Sequence, residues 1–345
     1  MELYPLVMEP SYRSGQETPW GGHSLRDKYR KKTPDEKTGE SLEISALPGH
    51  ESRVANGAFR GKTLQEVFLL WKDELTGCRE EHFPLLLKLL DARQCLSVQV
   101  HPDDAYAQRN EGKTGKSEAW YILDADPGAK LVYGLDTHGE DLQSIIDSGR
   151  LENALHWVSA RPGDVFYIPG GTIHALGPGI QCYEIQQSSD VTYRLWDWGR
   201  TGQDGKPREL HTEEALDVAD ADHMPGHPET EERRQPGAES RLLVDDPHFR
   251  LSAVDLDGVY FLPVGKMQFV TATVPCTLQW DGHEESIDSY QSVLIPAGMQ
   301  SVRISGKGRI LVASAVCTGN TGNPAGFRET NKKQAKVVDK RQGKG

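Results

Sequence analysis

The sequence has no long uninterrupted apolar run. Its longest apolar stretch, around Phe83 to Leu90, is broken by Lys88, whereas a membrane-spanning helix needs about 20 predominantly apolar residues. The N-terminal MELYPLVMEPSYR has no basic segment leading into an apolar one, so neither export nor a membrane span is expected, and a cytoplasmic location is. Cysteine is scarce. The five residues Cys78, Cys95, Cys182, Cys276 and Cys317 are odd in number and lack CxxC spacing, which argues against a disulfide framework and a thiolate zinc site and for reduced, structural thiols. Positive charge is also short. With 39 Lys and Arg against 51 Asp and Glu, the formal charge is −12, which argues against nucleic acid or an anionic membrane as partner and requires any anion-binding site to be built locally.

What is present is β-like texture. A chain of 345 residues suggests two domains. Thr63 is placed to cap a helix whose apolar residues Leu64, Val67, Phe68 and Trp71 follow helical spacing; shorter helices are expected over Glu140 to Ile146 and, with Thr212 as its cap, through Leu216. From Phe83 onward the runs PLLLKLLD, CLSVQVHP, EAWYILD, KLVYGL, DVFYIP, CYEIQQ and TYRLWDW alternate with turn residues, a pattern of many short strands that indicates a sandwich or barrel. Residues from about 220 to 240 are charged, rich in Pro and Gly, and read as a linker. A second set of strands follows, up to about residue 317. The expected organisation is therefore a first β-domain over 1–219, the linker over 220–240, a second β-domain over 241–317 and a basic tail over 318–345 that cannot bury a core.

One constellation carries chemistry. In LSVQVHPDD, Gln99 and His101 stand two apart and share a face if the segment is a strand. Glu118 opens the run EAWYIL, and in GDVFYIPGGTIH the apolar run ends at Pro169-Gly170-Gly171, three residues before His174. Two imidazoles, a carboxylate and an amide oxygen form a mixed nitrogen and oxygen set suited to a borderline divalent ion, zinc first. Each residue alone has a plainer reading, since histidines and strand-opening glutamates are more often structural or solvated than ligating.

Taken together, GDVFYIPGGTIH has the spacing of the second cupin motif, and QVH followed by a glutamate is similar to the first with glutamine in place of its leading histidine. That substitution resembles the mannose-6-phosphate isomerases, also called phosphomannose isomerases, in their short bacterial form. The likeness takes in Trp20-Gly21-Gly22, GESLEIS, LSVQVHPDDAYA, GKSEAWYIL, GDVFYIPGGTIHALGPG and EIQQSSDVTYRLWDWGR, covering roughly residues 1 to 317. Leu42 departs from the pattern, where tryptophan is expected. The resemblance implies a mainly β, cupin jelly-roll fold with a few helices and one zinc ion held by Gln99, His101, Glu118 and His174. It also implies catalytic duty for Arg194, Lys116 and Glu184. In the C-terminal half, Pro296-Ala297-Gly298 repeats the turn, but Ser301 stands where the histidine would be, so that half reads as a degenerate cupin without metal.

The implied activity is interconversion of mannose 6-phosphate and fructose 6-phosphate through an enediolate. A metal and an arginine would stabilise the charge, and either Glu184 or a metal-bound hydroxide would serve as base. Arg194 also has a structural reading, as an ion pair with Asp197 or Asp190, and Lys116 as a solvated loop lysine. A cupin oxygenase holding iron and a non-catalytic sugar-binding cupin are the rival functions. The expected partner is a small sugar phosphate, with no nucleic acid and no membrane, and the protein is expected as a monomer or small homo-oligomer.

Overall fold

The computed structural model describes residues 2–201, 205–221 and 231–317; the basic tail expected over 318–345 and the middle of the expected linker lie outside the described residues. The fold is mainly β and of the cupin type.

The strand Leu85–Ala92 shows why the apolar run around it gave no periodic signal: all eight of its residues are buried, because both of its faces are covered. On one face Leu85, Leu87 and Leu89 pack with the helix Leu64–Thr76 and with residues of the C-terminal sheet, including Phe249, Phe269 and Leu294. On the other face Leu86, Lys88 and Leu90 line a cavity. Period-two alternation therefore turns the single lysine inward.

Leu85–Ala92 lies in a six-stranded antiparallel sheet of order Val165–Ile168, Glu118–Ala125, Ile180–Gln187, Leu85–Ala92, Thr38–Ile44 and Ser11–Ser14. A second, five-stranded sheet runs Tyr193–Trp196, Val98–Val100, His174–Ala175, Lys130–Leu135 and Leu155–Ser159. A core cluster containing Trp120, Ile122, Phe166, Leu131 and Tyr133 draws on both sheets. The outer face of the five-stranded sheet is covered by Leu142, Ile145 and Ala215 from short helices. Thr63 does cap its helix, as a full capping box with Glu66. Thr212 does not: it is the first residue of the helix Thr212–Val218, whose cap position is His211, without a side-chain cap bond.

The C-terminal strands build a ten-stranded sheet, and two early strands join it: Leu6–Glu9 pairs with Ser292–Ile295 and with Arg53–Val54. The strand Leu6–Glu9 thus belongs to the C-terminal sheet, across the boundary expected near residue 219. The linker expectation is corrected as well. Glu232–Gln235 and Ala238–Asp245 form an antiparallel hairpin that extends this sheet, and its polar, exposed first strand is what made it read as unstructured. Two cysteines also depart from the expected reduced state. Cys78, just past the helix Leu64–Thr76, is disulfide-bonded to Cys317, 239 residues later, while Cys95, Cys182 and Cys276 are free. In the degenerate turn, Ala297 and Gly298 donate their backbone N–H groups to the carbonyls of Leu75 and Glu74, each at 2.9 Å. The turn that leads to a histidine in the first unit here satisfies the end of a helix. No described helix is long and apolar enough to cross a membrane.

Candidate active site

The register of the two sheets assembles the site. On the five-stranded sheet His174 pairs with Gln99, and Arg194 pairs with Gln99 from the other side. On the six-stranded sheet Glu118 lies between Ile168 and Gln186, and Glu184 lies between Trp120 and Lys88. His101 follows immediately on Val98–Val100. Its loop is held by the Pro-Gly-Gly turn, where Gly171 donates its N–H to the His101 carbonyl at 2.8 Å. A Cβ on Gly170 would come within 2.9 Å of the Asp103 nitrogen and 3.0 Å of Pro102, so that position requires glycine for close approach.

His101, Glu118 and His174 are all buried, and their ligating atoms lie within 4.8 Å of one another. The ring orientation of each histidine is set from behind. His101 Nδ1 is 2.9 Å from the Val191 carbonyl and His174 Nδ1 is 2.9 Å from the Thr172 carbonyl. A carbonyl can only accept, so both Nδ1 atoms carry the proton and both Nε2 lone pairs face the site. Burial, reinforced by Lys116, pushes the His101 imidazole well below its ordinary value and keeps it neutral. Burial alone would raise the Glu118 carboxyl, but the Lys116 ammonium beside it outweighs burial and holds Glu118 well below the usual carboxylate range. Its oxygens receive no well-directed hydrogen bond. Lys116 Nζ lies 2.7 Å from Glu118 Oε2 and 2.8 Å from His101 Nε2, a cation standing where two lone-pair donors and a carboxylate call for one. This donor set fits a divalent metal.

Gln99 sits beside the triad with its amide nitrogen 3.2 Å from His174 Nε2. In this orientation it donates to the histidine, and a half-turn of the amide presents its oxygen instead.

Next to the triad is a cavity of about 320 Å³ lined by Gln99, Lys116, Glu184, Arg194 and Lys88 among others. The structure thus brings the three expected catalytic residues to one space. Glu184 accepts from Trp120 Nε1 at 2.7 Å and lies 3.2 Å from Lys88 Nζ. Arg194 makes neither of its expected ion pairs, because Asp197 holds Arg200 and Arg208, and Asp190 holds Lys113; its Nη1 donates to the Glu209 carbonyl at 2.8 Å. Lys116 is buried rather than a solvated loop residue.

Sequence reasoning missed the charged row behind Glu184. Lys88 Nζ lies 3.4 Å from Glu40, and Glu40 lies 3.6 Å from Arg13. Burial would lower the Lys88 ammonium, but Glu184 and Glu40 outweigh it and raise the pKa; burial would raise Glu40, but Lys88, Arg13 and Lys116 hold it down. The available signal was Lys88 itself, one charge within an otherwise apolar strand.

The comparisons with known proteins bear on this geometry. Residues 11–129 match the family model for the catalytic domain of phosphomannose isomerase type I. A mannose-6-phosphate isomerase of Streptococcus mutans is 40% identical over 240 residues, 69% of this chain and 76% of that protein. The chain belongs to the mannose-6-phosphate isomerase family. The mannose-6-phosphate isomerase ManA of Bacillus subtilis is 37% identical over 260 residues, 75% of this chain and 81% of its own. The crystal structure of a Bacillus subtilis mannose 6-phosphate isomerase superposes with a TM-score of 0.84 at 34% identity, covering 90% of this chain and 99% of that one. The matched catalytic-domain segment contains Lys88, Gln99, His101, Lys116 and Glu118 of this family member; His174, Glu184 and Arg194 come to the site from the strands beyond it.

Proposed function

We propose that this isomerase interconverts mannose 6-phosphate and fructose 6-phosphate by proton transfer through an enediolate, with one zinc ion held by His101, Glu118 and His174 and by Gln99 with its amide turned. The observation that carries the reading is the convergence of two Nε2 lone pairs and a buried carboxylate beside a cavity that Lys116, Glu184 and Arg194 line together. A zinc ion held by these residues would supply Lewis acidity to the reaction. The chain's own residues do the rest. Glu184, fixed by the Trp120 indole and the Lys88 ammonium, is the carboxylate that can take the proton from one carbon and return it to the next. Arg194 and Lys116 place positive charge on the same cavity, where an enediolate oxygen would develop.

Conversion in D₂O tests this directly. Any solvent deuterium at C1 of the fructose 6-phosphate formed shows proton transfer rather than a hydride shift, and wild-type turnover in Glu184→Gln would refute Glu184 as the group that carries the proton. Elemental analysis should find about one zinc per chain, and its loss in His101→Ala and His174→Ala should abolish turnover. Zinc retained at full occupancy in the double variant would refute the ligand set. Arg194→Ala should lower turnover by about 10²- to 10³-fold with zinc still bound.

A further inference from the structure

On and just beyond the strand Tyr193–Trp196, two arginines hold one carboxylate and a third arginine stands near them. Arg208 donates twice to Asp197, from Nε to Oδ2 at 2.7 Å and from Nη2 to Oδ1 at 2.6 Å. Arg200 donates to the same Oδ1 and, through Nη1, to the Cys95 carbonyl at 2.7 Å. Arg194 has no carboxylate within ion-pair distance among the described residues, and its Nε is buried without a partner. Burial, then the neighbouring Arg208, push the Arg194 guanidinium below its ordinary value.

Nothing else on the cavity wall neutralises this group. Glu17 faces His50, Asp190 pairs with Lys113, and Glu40 and Glu184 share Lys88. Among the described residues, three guanidiniums against Asp197, with Glu209 acting on Arg194 from farther away, leave positive charge in surplus, in a chain whose net charge is −12. Arg194 and Arg208 line the cavity, and Arg200 does not. Lys116, the other cationic candidate, lies at the triad, 2.7 Å from Glu118 Oε2 and 2.8 Å from His101 Nε2, and is the cation left for the enediolate oxygen. A phosphate monoester carries a charge close to −2 near neutral pH, opposite in sign to that surplus, and arginine binds phosphate through two parallel N–H donors.

We propose that Arg208, held in place by Asp197 next to Arg194, is a specificity-determining residue that receives the phosphate dianion of the substrate. Asp197 takes the Nε and Nη2 edge of Arg208, so the anion is met by Nη1 and the remaining Nη2 hydrogen. Arg200 is the second anchor of Asp197, and Asp197 is a positioning residue. This assignment rests on the sugar-phosphate reading above.

The test uses the full-length, zinc-loaded protein and the variants Arg208→Ala, Arg208→Lys and Asp197→Asn. Inorganic phosphate binding is measured by calorimetry, which does not depend on turnover, alongside KM and kcat for mannose 6-phosphate and melting temperature. Arg208→Ala should weaken phosphate binding and raise KM by about 10- to 100-fold while kcat falls by no more than about threefold, because the lost contact is made equally in ground and transition states. Arg208→Lys should recover part of the loss, and Asp197→Asn should move KM in the same direction. Wild-type phosphate affinity and KM in Arg208→Ala and Arg208→Lys would overturn the proposal. A fall in kcat at unchanged KM would also overturn it, placing Arg208 at the reacting carbons. Should Arg208→Ala fail to fold, the lysine and asparagine variants decide by the same readouts. Were the wild type inactive on mannose 6-phosphate while phosphate binding still depended on Arg208, the isomerase reading would fail and the anion site would stand.

Discussion

Replacing Lys88 by methionine keeps much of the side-chain volume and removes the ammonium that Glu40 and Glu184 share at 3.4 and 3.2 Å. Both carboxylates are buried or nearly so, with side-chain exposures of 13% and 4%, and breaking a buried pair from one side costs about 3–5 kcal/mol. Glu40 keeps Arg13 at 3.6 Å and Glu184 keeps the Trp120 indole, so the expected loss is about 3 kcal/mol at pH 8. Its pH dependence has a definite sign. In the wild type the Glu40 carboxyl is depressed by Lys88, Arg13 and Lys116 against the opposing effect of burial; it contributes stability above its unfolded pKa that is lost as pH falls through the folded value. Without Lys88 burial dominates and the folded pKa rises, so the carboxylate is a penalty at high pH that protonation relieves. Urea unfolding of wild type and Lys88→Met at pH 8 and pH 5, at equal zinc occupancy, should therefore give a difference about 1–2 kcal/mol smaller at pH 5. A loss below about 1 kcal/mol at pH 8, or the same loss at both pH values, would refute the argument.

Reduction of the Cys78–Cys317 bond, or Cys317→Ser, should destabilise the folded chain by up to about 5 kcal/mol on the chain-entropy estimate for a loop of this length; equal urea midpoints with and without reductant would show that the bond does not form. Gly170→Ala should push the backbone at Pro102 and Asp103, displace His101, and weaken zinc by about tenfold or more in competition with a chelator; unchanged affinity would mean that the loop yields without moving the ligand.

The parts of the site legible in the sequence are those encoded by local spacing. Gln99 and His101 follow strand parity, and His174 follows a turn whose glycines fix the approach of two loops. The row Arg13, Glu40, Lys88 and Glu184 was not legible, because it is assembled across four strands by register. No residue in it except Lys88 breaks a local pattern. Arg208 was hidden for a similar reason: its value comes from sharing Asp197 with Arg200, and an arginine in a polar loop gives no signal of its own. The hairpin Glu232–Asp245 escaped notice because most of its first strand is exposed and charged, which composition alone cannot distinguish from a linker. The disulfide joins cysteines that only the packing of the helix Leu64–Thr76 against the final strand brings together.

The placement of Leu6–Glu9 has a consequence for synthesis. Its partner Arg53–Val54 leaves the ribosome soon after it, but Leu6 and Val7 bond on their other side to Leu294 and Val293. About 290 residues of translation separate the two, some 15–60 s at about 5–20 residues per second. Throughout that interval a short apolar strand with an open hydrogen-bonding edge must stay soluble, while the sheets around His101, Glu118 and His174 are already free to close. A nascent chain stalled before Ser292 would therefore strand its first β-segment as well as lack its last, and would be a natural client for a chaperone that shields unpaired edges.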